Sequence, residues 1–121
     1  KINSKNSSLS PSKDKSLIYV YRSQGLRGAA YSPYINIYNK INFPLQIVGY
    51  LPYYSNPGTI TISMANLASS TININTNGGE TYYVKGTTIG LGIPSIEMVS
   101  PEIGITEIKE CKLLPDSVIS K

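Results

Sequence analysis

A chain of 121 residues with 40% apolar and 15% charged side chains is long enough for one soluble globular domain and too short for two. It has no histidine and one cysteine, Cys111, which excludes imidazole catalysis, Ser-His-Asp and Cys-His pairs, the common zinc sites and an intrachain disulfide. The net charge of +4 lies mostly in the first fifteen residues, whereas a nucleic-acid-binding domain needs its cations on the folded surface. We therefore expect no nucleic-acid partner, and we expect Cys111 to be a buried, inert thiol.

The first segment, residues 1–15, consists largely of Lys, Ser and Asn, with Ile2 and Leu9 as its sizeable apolar residues. Such a segment cannot bury enough apolar surface to offset the entropy lost on ordering. Its composition predicts a flexible basic tether. Because the chain does not begin with Met, we also expect that an upstream part has been removed, either as a cleaved leader or by truncation.

Runs of alternating apolar and polar residues follow and predict about seven short strands. The clearest are residues 59–64 and 71–75, where the residue type changes at every position, as it does in a half-buried strand. The turn at residues 77–79 is expected to close a hairpin with residues 81–85. The remaining predicted strands are 17–22, 34–38, 45–50 and 95–99. Short strands with frequent turn signals favour a single antiparallel β-sandwich over residues 16–115.

The residue pattern changes to a helical period after residue 99. Ser100 is a candidate N-cap, and Pro101 suits the first helical position. Ile108 and Cys111 continue the apolar spacing, so we predict one helix of about eleven residues packed on the sheet. Gly104 inside this helix costs about 1 kcal/mol relative to Ala, which close approach to a strand would explain. Residues 116–121 form a short C-terminal tail.

Ten tyrosines dominate the aromatic residues of the chain. Tyr19 and Tyr21 share one face of the first predicted strand, and Tyr34 and Tyr38 share one face of the second. If these faces are exposed and adjacent, they form an aromatic platform that can stack on sugar rings or bury in a protein partner. The alternative is that the rings line the core edges and the sheet surface, with their hydroxyls reaching water.

The charged residues and the glycine-rich segment indicate no catalytic, cofactor or metal site. Residues 86–92 lack the Gly-Lys-Ser/Thr ending of a phosphate-binding loop and a following helix, so we interpret them as an ordinary loop. The carboxylates are scattered, without the Asp-x-Asp spacing typical of calcium sites. No acidic residue lies between Asp14 and Glu80, so Arg22 and Arg27 have few local partners. We add these two arginines to the tyrosines as a candidate interaction surface.

Several segments form an ordered pattern over most of the chain. They are 17–22 (LIYVYR), 56–62 (NPGTITI), 79–85 (GETYYVK), 96–99 (IEMV), Gly104, Glu107 and 110–113 (ECKL). In this order they resemble the DUF2846 family of small bacterial envelope proteins. The resemblance implies a β-sandwich related to PEGA-like modules and, in many members, a lipoprotein signal. It implies no catalytic residue, and this chain departs from it in lacking a His after the Pro-Gly turn and in its Phe43-Pro44 pair.

The resemblance implies a bacterial cell-envelope location, and with the features above we expect a non-enzymatic domain that acts as a binding or assembly module for other envelope proteins. We expect it in the periplasm, tethered to a membrane by an acylated cysteine upstream of Lys1, and at the outer membrane rather than the inner. The alternative is a soluble carbohydrate- or peptidoglycan-binding module that uses its surface tyrosines. Neither hypothesis requires a cofactor or a metal. A hydrolase that uses Ser or Tyr with Lys has no supporting spacing.

Overall fold

The chain folds into two β-sheets that pack face to face, with one short helix on the outer side of the larger sheet. The computed structural model describes residues 11–23, 33–38, 41–46, 48–65, 68–89 and 93–114. In chain order the elements are β1 (Ser16–Arg22), β2 (Tyr34–Ile37), β3 (Ile41–Pro44), β4 (Gly49–Ser55), β5 (Gly58–Ala65), β6 (Ser69–Thr76), β7 (Thr81–Ile89), β8 (Ile93–Val99), α1 (Pro101–Ile108) and β9 (Lys112–Leu113). The predicted mainly β sandwich with one C-terminal helix is confirmed.

The strands divide into a five-stranded sheet with the order β8-β7-β1-β4-β9 and a four-stranded sheet with the order β3-β2-β5-β6. The four-stranded sheet is antiparallel, as predicted. In the five-stranded sheet, however, β1 pairs in parallel with β7, and β4 pairs in parallel with β9. The strand predicted at 45–50 instead begins at Gly49, because Val48 has a positive φ of 52°, which an extended strand cannot continue through.

The turn at residues 77–79 does not close a hairpin. β6 pairs with β5 in the four-stranded sheet, while β7 pairs with β1 and β8 in the other sheet. The turn therefore carries the chain from one sheet to the other. Gly79 has a φ of +82°, and a Cβ on Gly78 would lie 2.0 Å from the carbonyl oxygen of Lys13, so both positions favour glycine.

The N-terminal side of this corner is part of the fold. The amide of Gly79 donates to the carbonyl of Lys15 at 2.7 Å, and the Lys15 ammonium donates to the Asn56 side chain at 2.8 Å. The tether was predicted to extend through Lys15. Contacts with the sandwich therefore begin inside the predicted tether. Residues 1–10 of that predicted tether lie outside the described residues, as does the predicted tail at 116–121.

Strand β1 is buried on both of its faces, since all seven of its residues are buried. Ile18 and Val20 face the four-stranded sheet and belong to the main core between the sheets. Leu17, Tyr19 and Tyr21 point to the opposite side, where they form a second core. Successive side chains of this strand therefore enter two different cores, and neither face of the strand is exposed to water.

The helix α1 covers the second core. Its N-cap is Ser100, whose side chain accepts from the Ile103 amide, and Pro101 occupies the first turn, as predicted. It has eight residues rather than about eleven. A Cβ on Gly104 would lie 2.3 Å from Cγ of Tyr83, so the predicted close approach to a strand is confirmed. Within the described residues, no helix has the length and apolar character needed to cross a bilayer.

Cys111 follows the helix and is fully buried in the second core, as predicted. Its thiol lies 3.7 Å from the carbonyl oxygen of Glu107 and 3.8 Å from that of Arg22. Burial, reinforced by the nearby charges of Glu107 and Glu110, raises the pKa of this thiol to about 11. The thiol is therefore protonated at neutral pH and a poor nucleophile.

Candidate functional site

The structure separates the residues of the predicted aromatic and basic surface. Tyr19, Tyr21 and Arg22 are 6%, 0% and 2% exposed, so these three do not contribute to any surface. The prediction treated β1 as a strand with one wet face, but this strand is central in its sheet and covered on both sides. Arg27 lies outside the described residues.

Tyr34 and Tyr38, in contrast, are each 50% exposed. They lie in or directly after β2, in the four-stranded sheet, and so on a different sheet from Tyr19 and Tyr21. Of the predicted tyrosine platform, these two rings are the ones that reach the surface.

The buried tyrosines form an aromatic cluster beneath α1. The rings of Tyr19 and Tyr83 stack at a centroid distance of 5.4 Å, and those of Tyr19 and Tyr50 are tilted at 6.1 Å. Burial raises the pKa of Tyr19 and Tyr83, so both phenols stay neutral at physiological pH. This cluster packs the helix against the sheet and provides no reactive phenolate.

One polar network reaches the edge of this cluster. The Tyr21 hydroxyl donates to Oε1 of Glu107 at 2.5 Å, and the Lys85 ammonium lies 3.0 Å from Oε2 of the same carboxylate. Partial burial tends to raise the pKa of Glu107, but the hydrogen bonds from Tyr21 and Lys85 outweigh it and lower the pKa. Burial, with the bond to Glu107, raises the pKa of Tyr21.

At neutral pH this network therefore holds an ionised carboxylate and a neutral phenol, and neither is poised for proton transfer. It fastens α1 to β1 and β7. The sequence prediction missed it, because Tyr21, Lys85 and Glu107 lie far apart in the chain and are brought together by the fold.

Arg22 closes the end of the main core. Its guanidinium donates to the carbonyl oxygen of Leu45 at 3.0 Å and to Oγ1 of Thr88 at 3.2 Å. Burial lowers the pKa of this guanidinium from its usual high value, yet arginine remains charged at neutral pH. Arg22 thus joins the residue after β3 to β7, across the two sheets.

The outer side of the four-stranded sheet carries a different kind of surface, which we call the Asn/Thr face. Strand register places on it the side chains that alternate with the buried ones in β2, β3, β5 and β6. All of these residues are uncharged. They are Tyr34, Asn36, Asn42, Pro44, Thr59, Thr61, Ser63, Ala65, Ser69, Thr71, Asn73 and Asn75.

Cross-strand hydrogen bonds order the centre of the Asn/Thr face. Oγ1 of Thr59 donates to Oδ1 of Asn75 at 2.8 Å, and Oγ1 of Thr61 donates to Oδ1 of Asn73 at 2.6 Å. In each pair the Asn Nδ2 group keeps donors and the Thr oxygen keeps acceptor capacity. Successive pairs along the strand lie about 6.8 Å apart, because two residues separate them.

Tyr38 borders these pairs, whereas Tyr34 lies about 14 Å further along the strands, since its register partner Ala65 is four residues from Thr61. Tyr34 lies opposite Ala65, whose small side chain leaves the ring uncovered. Tyr38 has a φ of 60°, and its amide donates to the carbonyl of Thr61 at 2.9 Å. This left-handed conformation is uncommon for a tyrosine and ends the strand beside the Thr61–Asn73 pair.

A shallow groove of about 350 Å³ lies at the start of α1, with Tyr83, Met98 and Pro101 in its lining. Apart from tyrosine hydroxyls, Glu80 is the ionisable group among its described lining residues. The hydroxyls of Thr81 and Ser100 also line the groove, of which Ser100 caps α1, and among the described lining residues no second charged group accompanies Glu80. Among the described residues there is also no cluster of three or more His, Cys, Asp or Glu side chains that could hold a metal ion.

The family model of a protein of unknown function, DUF2846, matches residues 12–101. The chain belongs to the DUF2846 family. The match begins at Ser12, in the segment that packs against Gly78 and Gly79, and it includes every strand from β1 to β8. No curated protein and no solved structure matches the chain.

The DUF2846 match therefore contains the whole Asn/Thr face, but it ends at Pro101, the first residue of α1. Glu107 and Cys111 lie beyond it. The face belongs to the part of the chain that defines the family, whereas the helix that covers the second core follows that part.

Proposed function

We propose that this DUF2846 chain is a non-enzymatic binding or assembly module of the bacterial cell envelope, and that the Asn/Thr face is its contact surface. The observation that carries the proposal is the absence of charge from every outward position of the described strands β2, β3, β5 and β6. About 25–35% Lys, Arg, Glu and Asp is typical of a solubilising surface. Here Asn, Thr and Ser take the places that such residues commonly occupy.

An uncharged polar face is suited to contact because it is inexpensive to desolvate. Removing an isolated charge from water costs far more than removing a hydroxyl or an amide that finds a new hydrogen-bond partner. The Thr61–Asn73 and Thr59–Asn75 bonds also hold the side chains in place before any ligand arrives. Less rotamer entropy is then lost on binding.

The ionisable groups support a role without catalysis. The buried phenols of Tyr19, Tyr21 and Tyr83 have raised pKa values, and so has the Cys111 thiol. Each is therefore held in its neutral, unreactive form at neutral pH. The lowered pKa of Glu107 makes its carboxylate a weak base. Its hydrogen bonds to Tyr21 and Lys85 attach α1 to the sheet.

For the location, we propose the periplasm, with a lipid anchor upstream of Lys1 and the outer membrane as the attachment site. Support comes from the resemblance to envelope lipoproteins and from the basic composition of residues 1–15, which suits a spacer near anionic headgroups. Each Lys near such a surface adds about 1 kcal/mol of attraction. Mass spectrometry of the protein from its native membrane tests the anchor. An acylated N-terminal cysteine is expected, and a native N-terminus without lipid would exclude it.

Crosslinking in intact cells tests the contact surface. A photo-crosslinking amino acid is placed at Thr61 or Asn73 on the face, and at exposed Thr106 on α1 as the matched control. We expect discrete adducts with another envelope component from the two face positions and none from the control. Adducts that appear equally at Thr106, or only there, would show that the face is not the contact surface.

A further inference from the structure

We infer that the ligand of the Asn/Thr face is an uncharged glycan chain. This inference rests on the proposed function and gives its ligand a chemical class. The face has mixed hydrogen-bond donors and acceptors and an exposed aromatic ring, and register places on it neither charge nor a broad apolar centre.

The hydrogen-bonding groups of the face match those of a sugar. Each pyranose hydroxyl both donates and accepts, so its binding site needs donors and acceptors close together. In the Thr61–Asn73 pair the bond from Oγ1 to Oδ1 leaves the Nδ2 donors and the Oγ1 acceptor adjacent. The Thr59–Asn75 pair repeats this arrangement one step along the strands. A regular array of mixed donors and acceptors fits a polymer of repeating hydroxyl groups.

The exposed aromatic ring supplies the second element of sugar recognition. Tyr34 is half exposed on the same face and lies opposite the small Ala65. A tyrosine offers an apolar ring surface and a hydroxyl that can face water. The C–H side of one pyranose can pack on such a ring, and sugar units further along the same chain reach the Thr61–Asn73 pair, about 14 Å away along the strands.

Two other classes of ligand fit this face less well. Nucleic acids and other polyanions are held by Lys and Arg, and register places neither on the face. Protein interfaces have an apolar core enriched in Tyr, Trp, Phe, Met and Arg. Here the larger apolar groups are Tyr34 and Pro44 on the face and Tyr38 at its border, while the centre between β5 and β6 is Thr, Asn and Ser.

An uncharged amino-sugar polymer and a neutral secreted polysaccharide share this chemistry, so the experiment includes both sources. The purified chain is titrated calorimetrically with chitin oligosaccharides and with a neutral glucan. Binding to chitin oligosaccharides alone identifies an amino-sugar polymer, and binding to the glucan identifies a polymer of simple hexoses. Either result supports the inference.

Variants locate the binding. Asn73→Asp keeps the shape and the acceptor but removes the Nδ2 donors, and Tyr34→Ala removes the ring. We expect each to weaken glycan binding at least tenfold, while Thr106→Ala on α1 leaves it unchanged. Since Asn73 and Tyr34 are exposed, thermal unfolding is expected to show that both variants fold.

The outcomes separate this inference from the proposed function. If no glycan binds, or if Asn73→Asp and Tyr34→Ala bind as the parent does, the glycan assignment is overturned. Protein adducts from Thr61 in the crosslinking experiment would then leave the face as a contact surface with a protein occupant, including a second copy of this chain. If neither glycan binding nor face-specific adducts were observed, the glycan assignment and the proposed contact surface would both be overturned.

Discussion

Gly104 of α1 lies directly on the ring of Tyr83, with no room for a side chain between the helix and β7. A Cβ built on Gly104 would lie 2.3 Å from Cγ and 2.5 Å from Cβ of Tyr83. The second of these atoms is fixed to the strand backbone, so a rotamer change cannot relieve the clash. This contact brings the helix close enough for Glu107 to reach both Tyr21 and Lys85.

Gly104→Ala is therefore expected to destabilise the protein. Alanine favours a helix by about 1 kcal/mol over glycine, but overpacking a filled contact costs about 1–3 kcal/mol. We expect a net loss of about 1 kcal/mol or more in the free energy of unfolding, measured by denaturant titration. Thr106→Ala, at an exposed position of the same helix, is the control and should be neutral or stabilising by up to about 0.7 kcal/mol, because alanine has the higher helix propensity. A stabilised Gly104→Ala protein would contradict the close approach.

Glu107→Gln is expected to weaken the attachment of α1 in a pH-dependent way. Hydrogen bonds to charged groups contribute about 1.5–3 kcal/mol, and partial exposure of this carboxylate reduces that to about 1 kcal/mol. Since its folded pKa lies below the ordinary value of 4.5, the contribution is complete above that value and is lost as the pH falls through the folded pKa. The stability difference between parent and variant should thus be present at pH 7 and shrink in acid.

The matched control for this experiment is Glu110→Gln, which changes an exposed carboxylate just after the helix. Its stability difference from the parent should be small at every pH. A Glu107→Gln difference that stays constant from pH 7 to strongly acidic solution would show that the carboxylate charge does not fasten the helix.

Arg22→Lys is expected to cost about 2 kcal/mol of stability. The guanidinium reaches both the Leu45 carbonyl and Thr88, whereas a single ammonium cannot satisfy both positions with the same geometry. A buried partner left without its hydrogen bond costs about 1–3 kcal/mol. Equilibrium unfolding checks this, with Thr88→Val as a comparison that removes one acceptor and should cost less. Equal stability of Arg22→Lys and the parent would contradict a structural role for the guanidinium.

Cys111 is expected to be unreactive until the protein unfolds. The thiol is fully buried, and its pKa is raised to about 11, so both access and ionisation oppose attack on a thiol reagent. A chromogenic disulfide reagent at pH 8 should label the native protein slowly and the denatured protein at once. Fast labelling of native protein would place the thiol at the surface.

Much of the four-stranded sheet was predictable because its strands have one dry and one wet side. In β5 the apolar residues at every second position, such as Ile60 and Ile62, are buried, and the Thr residues between them are exposed. The start of α1 was predictable for a similar reason, since a Ser cap followed by Pro is a local signal. The uncharged character of the Asn/Thr face could also be read from this alternation, although the sequence prediction concentrated on tyrosines.

The strand periodicity and the helix cap were predictable because they depend on neighbours in the chain, and composition alone excluded histidine chemistry. That β1 lies between two neighbours, so that Tyr19 and Tyr21 are interior, and that residues 77–79 join two sheets became evident from the fold. Alternation separates the two faces of a strand but does not say what covers each face. The covering elements, α1 and the opposite sheet, come from distant parts of the chain and are selected by packing of the whole domain.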